Sequence, residues 1–252
     1  MPITFARNLT GPARTQRANR QLGWTLAFIA GATNAGAYLA VRQYTSHMTG
    51  IVSSMADALV LGDLQLAGAA LGALLSFLAG AATSAVLINY ARRRRLKSQY
   101  ALPLLVEATL LLVFGLIGAS LSALHGLFVP ATVMLLCFLM GLQNAVITKV
   151  SRAEIRTTHV TGVVTDIGIE LGKLVYWNRL QADPALHVAA DRGRLLVLTL
   201  IVGAFLLGGV FGAAGFQRLG YGTTIPLAVL LIILAGVPAA DDLRDYLARP
   251  EG

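Results

Sequence analysis

The chain has 252 residues, of which 56% are apolar and only 13% charged, with a formal net charge of +8. The apolar runs leave no room for a separate soluble domain, and the basic excess sits in short loops between them, which excludes a nucleic-acid binder in favour of topogenic arginines. One cysteine, Cys137, inside an apolar run, excludes an intrachain disulfide and a multi-cysteine metal site.

In chain order the apolar runs fall at 22–41, 66–90, 101–124, 127–148, 195–217 and 222–240. Each approaches the roughly 20 residues that carry a helix across about 30 Å of hydrocarbon. The predicted fold is therefore an all-α integral membrane protein. A basic leader with Arg7, Arg14, Arg17 and Arg20 precedes the first run and imitates a secretory signal. That run has a counterpart at 127–148, so it is expected to stay in the mature fold. The expected organisation is a cytoplasmic tail over 1–20, a first membrane repeat over 21–125, a second over 126–240 and a cytoplasmic tail over 241–252. Both tails read as polar and disordered.

The counterpart reflects an internal duplication. Residues 45–52 read TSHMTGIV and residues 157–164 read TTHVTGVV. The alignment pairs Thr45 with Thr157, Ser46 with Thr158, His47 with His159, Thr49 with Thr161 and Gly50 with Gly162. Upstream, Gly31-Ala-Thr-Asn34-Ala35 matches Gly141-Leu-Gln-Asn144-Ala145. Downstream, Phe77-Leu-Ala-Gly80-Ala81 matches Phe205-Leu-Leu-Gly208-Gly209. Three blocks in one order identify a repeat.

The stretches after each motif, 48–62 and 160–175, decide the topology. At 1.5 Å per residue the first is about 22 Å long, short of a crossing. If both cross, the chain has eight spans in a 4+4 parallel repeat. If both re-enter, it has six spans in a 3+3 inverted repeat. With the basic N-terminus inside, a crossing at 48–62 puts Arg92, Arg93, Arg94, Arg95 and Lys97 outside, against the positive-inside rule. Re-entry brings this cluster inside, with Lys149, Arg152, Arg156, Lys173, Arg179, Arg192 and Arg194. The six-span arrangement with both termini cytoplasmic is the expectation. Gly68-x-x-x-Gly72 and Gly208-x-x-x-Gly212 are candidate helix-packing motifs.

Polar groups between apolar spans carry the chemistry. A half-helix that starts near Ser46 or Thr158, both suitable N-caps, directs free N–H groups and a partial positive charge toward the midplane. Two such ends form a site for a small anion or the negative end of a polar solute. The expected lining is Asn34, Thr45, Ser46, His47, Thr49 and Gly50 with Asn144, Thr157, Thr158, His159, Thr161 and Gly162. The glycines are expected to serve close helix packing. Asp166 and Asp57 are candidate proton-coupling carboxylates, seven residues after His159 and ten after His47. Glu170 and Lys173 are spaced for an ordinary surface bridge, and Glu107 is expected at a wet interface.

A G-x-x-N-A span followed by S-H-M-T-G, and G-L-Q-N-A followed by T-T-H-V-T-G, resemble the YoaK family of bacterial membrane proteins, a domain of unknown function. The resemblance covers roughly residues 20–240. It implies a six-span, multi-pass protein of the bacterial inner membrane and supplies no substrate.

The leading functional reading is a transporter or channel for a small anion or polar metabolite, with no cofactor, no bound metal and no enzymatic activity. Its partners are the lipid bilayer and the solute, with no nucleic acid; association with further copies of the chain is compatible. Two alternatives stand beside it. An intramembrane metal-dependent enzyme would use the histidines and Asp166, although no H-E-x-x-H or G-x-S-x-G appears. A scaffold subunit would tolerate changes in the polar motifs.

Overall fold

The computed structural model describes residues 16–96, 98–121, 125–150, 160–176 and 188–247. They form α1 (Gln16–Val41), α2 (Met48–Leu61), α3 (Leu64–Arg93), α4 (Ala101–Leu121), α5 (His125–Val150), α6 (Val160–Val175), α7 (Arg192–Leu219), a 3-10 turn (Gly220–Thr223) and α8 (Thr224–Leu247). No strand occurs among the described residues. Five segments are long and apolar enough to cross a membrane: Arg20–Val41, Leu64–Arg93, Ala101–Gly118, Pro130–Lys149 and Arg192–Gly236. The last is broken at Gly220, where a φ of +56° ends α7, so it contains parts of two helices. Helices of this composition belong in a lipid bilayer.

Local chemistry sets the boundaries. α1 stops at Arg42, which takes a left-handed φ of 57°. α2 stops at Gly62, φ +77°, where the N–H of Asp63 donates to Ala58 O at 2.9 Å in the manner of a glycine C-cap. Asp63 then caps α3 by accepting from the Leu66 N–H at 2.9 Å. Asp191 caps α7 in the same way, accepting from the Arg194 N–H at 2.9 Å. Residues 241–247, expected in a disordered tail, continue α8 instead. Asp242 accepts from the Ser98 N–H at 2.8 Å and also from its hydroxyl.

Close helix packing follows the duplication. A Cβ on Gly31 would meet the Phe205 carbonyl, and a Cβ on Gly141 would meet the Phe77 carbonyl. Likewise Gly208 presses on the Phe28 carbonyl and Gly80 on that of Phe138. Under the sequence alignment these are the same two contacts with the repeats exchanged: α1 packs on α7 and α5 packs on α3. Where lipid surrounds helices, burial of apolar surface gives little driving force, and van der Waals contact between approaching backbones takes its place. Of the two predicted glycine motifs, Gly208 and Gly212 both seat α7 on α1, against Phe28 and Ala32. Gly68 has nothing within 4 Å, and Gly72 meets only the Met134 side chain. The small pair that serves the first repeat is Gly80 and Ser84, the latter fully buried.

These contacts also give helix directions. Phe28 with Gly208, Ala32 with Gly212 and Gly36 with Phe216 advance together, so α1 and α7 run parallel. Gly72 with Met134, Gly80 with Phe138 and Asn89 with Lys149 make α3 and α5 parallel. By contrast, Ser98 meets Asp242 while Gly115 meets Thr224 and Phe114 meets Tyr221, so α4 and α8 run antiparallel. α1 and α5 are the most buried of the candidate spans. Gln143 Nε2 of α5 donates to Leu26 O of α1 at 3.3 Å.

Candidate functional site

The first motif lies where α1 hands over to α2. Asn34 sits seven residues before the end of α1, about 10 Å back along the helix. Its Oδ1 accepts from the Ser46 hydroxyl at 2.9 Å and from the Ser46 N–H at 3.4 Å. The segment after Val41 is thereby drawn back alongside α1, and α2 begins at that depth. Tyr38 and Tyr44 stack at 4.6 Å on the way. Ser46 is therefore not the N-cap expected of it, because Asn34 engages its hydroxyl. His47 occupies the N-cap position and makes no side-chain cap hydrogen bond. The first turn of α2 is left without a side-chain acceptor, which keeps a positive helix end available to a ligand.

His47 and Thr49 are exposed, Ser46 and Gly50 half-buried, and Thr45 fully buried. Gly50 has a different task from the helix packing expected of it. A Cβ there would fall 2.5 Å from His47 Nδ1, so the absent side chain makes room for the imidazole. In the second motif, Thr157, Thr158 and His159 lie outside the described residues. Thr161 and Gly162 are exposed on the first turn of α6, and no described atom lies within 4 Å of a Cβ on Gly162. Asn144, the counterpart of Asn34, is buried on α5, and its Oδ1 has no partner.

Further unmet polar atoms accompany these residues. Thr33 Oγ1, Thr45 Oγ1 and Gln143 Oε1 are buried without a hydrogen-bond partner. Thr33 and Gln143 adjoin Asn34 and Asn144 in the duplicated block. A buried polar atom that bonds to nothing in the protein calls for water, an ion or a ligand. Sequence reasoning also missed Ser53, Ser54 and Thr165. Ser53 stands four residues after Thr49 and Thr165 four after Thr161, so each extends an exposed polar stripe on its half-helix. The i, i+4 spacing was a legible signal for Ser53 and Thr165.

The acids divide. Asp57 is exposed on α2. Asp166 accepts from Arg194 at 3.0 Å, with its side chain 40% exposed. Glu170 is not the ordinary surface carboxylate expected, for its side chain is 2% exposed. It pairs with Lys173 at 2.9 Å, accepts from the Asp191 N–H at 2.8 Å and lies 4.0 Å from Arg194. Outside the crossing segments, the Lys173 bond first, then the Asp191 N–H, hold this carboxyl below the usual range, against the opposing effect of desolvation. Glu107, expected at a wet interface, is buried within α4 with Oε2 unpartnered. Among the described residues no three His, Cys, Asp or Glu side chains form a group that could hold a metal ion.

The arrangement offers hydroxyls, amides, an imidazole and a free helix end, all groups able to form hydrogen bonds. No curated protein and no solved structure matches the chain. Residues 22–237 do match the family described as "Protein of unknown function (DUF1275)", which includes the YoaK family. With the fold and both polar motifs inside that span, this helical, membrane-type chain belongs to the DUF1275 family.

Proposed function

We propose that the chain is a transporter or channel for a small anion or polar metabolite, with six crossing helices and two re-entrant half-helices, α2 and α6. The observation that carries this reading is the Asn34–Ser46 link, which sets the start of a 14-residue helix about 10 Å inside the end of α1. A helix of about 21 Å is itself shorter than the roughly 30 Å of hydrocarbon, and in the re-entrant arrangement it returns to the surface from which α3 starts. Helix direction supports the same topology. Six spans make α4 and α8 antiparallel, whereas eight spans make them parallel; the contacts are antiparallel. An odd number of spans per repeat inverts the second repeat and points both half-helix N-termini at the midplane.

In this reading the solute's negative or polar end binds the first turns of α2 and α6. His47 and Thr49 lie at the rim, with Asn34 and Asn144 behind them. Both termini face the cytoplasm across the bacterial inner membrane. The first test is sidedness. With Cys137 replaced, Asp63→Cys is expected to react with an impermeant maleimide added to intact cells, and Arg93→Cys to be protected. Labelling at position 93 would replace the re-entrant helix with a crossing one and remove the convergent site. Uptake into proteoliposomes is then measured with a panel of inorganic anions and small carboxylates. The solute that enters is expected to lose most of its flux in Asn34→Ala and His47→Ala. Full flux in both variants would remove the proposed site, and no uptake of any solute in the panel would leave a scaffold.

A further inference from the structure

We infer that the C-terminal halves of the two half-helices are held unequally, that of α6 by an ionic latch to the start of α7 and that of α2 by apolar contact alone, so that α2, anchored at its start by the Asn34–Ser46 link, is the moving gate. The inference rests on the half-helix reading above but not on the identity of the solute.

The duplication makes the comparison residue by residue. Each half-helix buries two positions against its neighbour: Ile51 and Ala58 in α2, Val163 and Glu170 in α6. These correspond under the motif alignment. The following helices begin at equivalent caps, Asp63 and Asp191, each accepting from the N–H three residues on at 2.9 Å. The side chains around this common frame differ. Ser54, Ala58, Leu61 and Leu66 in the first repeat stand where Asp166, Glu170, Lys173 and Arg194 stand in the second.

The second set is connected. Arg194 binds Asp166 at 3.0 Å and approaches Glu170 at 4.0 Å, while Lys173 binds Glu170 at 2.9 Å. The other Glu170 oxygen accepts from the Asp191 N–H at 2.8 Å, tying α6 to the cap of α7. α7 is the helix packed on α6, and its charged groups there are Asp191, Arg192 and Arg194; α6 supplies Asp166, Glu170 and Lys173. A buried carboxylate with this many donors keeps its bonds only while both helices stay in place. On α2, no side chain from Met48 to Leu61 forms a hydrogen bond or ion pair among the described residues. Its connection to α3 passes through Gly62, which has a φ of +77° and open space around its Cα. The α2 contact, with Ile51 in the apolar core, and its glycine joint can slide without breaking a directional bond, whereas displacement of α6 breaks charge-assisted ones.

The test is hydrogen–deuterium exchange on the full chain in nanodiscs, without solute, with peptides from α2 and α6 compared. The expected result is that α6 amides exchange about tenfold or more slower than α2 amides. Replacing Glu170→Ala and Arg194→Leu together, which copies the first repeat, is expected to bring α6 to the α2 rate and leave α2 unchanged. If the double variant does not fold, Arg194→Gln is read instead; it removes one charge from a side chain that is 53% exposed. Equal exchange in the unaltered protein, or an α6 rate unmoved by either variant, would overturn the inference. Failure of the half-helix reading is seen separately, as maleimide labelling at position 93.

Discussion

Alanine at the four reciprocal glycines is expected to separate the helices. In Gly31→Ala the new Cβ would lie 2.9 Å from the Phe205 carbonyl carbon and 3.0 Å from Gly209 N, and closer still to the Phe205 oxygen. Ordinary contact begins near 3.4 Å, so α1 and α7 must part by about half an ångström or more. Neither neighbour is a flexible side chain, so the strain spreads along the seam, at roughly 1–3 kcal/mol per substitution. Gly80→Ala, Gly141→Ala and Gly208→Ala meet equivalent carbonyls and are expected to cost similar amounts. The stronger expectation is in the coupling. Gly31 and Gly208 share the α1–α7 seam, so once one alanine has parted the helices the second costs less, by about 0.5 kcal/mol or more. Gly31 and Gly141 lie on different seams and are expected to add within about 0.5 kcal/mol. Equilibrium unfolding in mixed micelles with a denaturing detergent, followed by near-UV circular dichroism, measures both. Silent single substitutions, or additivity within one seam, would refute the packing argument.

Asn34→Ala leaves the Ser46 hydroxyl and N–H without their shared acceptor and is expected to destabilise the protein by about 1–2 kcal/mol in the same unfolding assay. Ser46→Cys in that background is expected to react faster with a soluble maleimide than in the parent, as the start of α2 loosens. Gly50→Ala displaces the His47 ring; modification of that imidazole by diethyl pyrocarbonate is expected to change rate by several-fold, with unfolding little affected. Glu170, held below its ordinary value of 4.5, contributes stability that is present above that pH and lost as pH falls through the lower folded value. Thermal melts from pH 7 down to about pH 3 should therefore fall more steeply for the parent than for Glu170→Gln.

The sequence alone determined the helical membrane character, the placement of the long apolar segments and the alignment of the two polar motifs. These are properties of composition and periodicity, and duplication makes equivalent positions visible without any knowledge of contact. Capping was partly legible: Asp63 and Gly62 act as their chemistry suggests, but Ser46 was misread, because a hydroxyl two positions before the helix has rival acceptors and only three-dimensional proximity selects Asn34. The packing motifs show the same division. Gly68 and Gly72 have the right spacing, yet it is Gly80 that meets the backbone of the neighbouring helix, because spacing fixes which residues share a face and not which face meets a partner.

What only the tertiary structure decided is partnership across the chain. That α1 packs on α7, and α3 on α5, joins residues more than fifty positions apart through backbone atoms, which leave no mark on side-chain pattern beyond a glycine. Glu170 and Lys173 looked like a surface pair because i, i+3 spacing is blind to burial. The bond to Asp191 and the approach of Arg194 arise only when α7 closes over α6. Local chemistry is written in short-range sequence, whereas burial and long-range pairing depend on where distant helices come to rest.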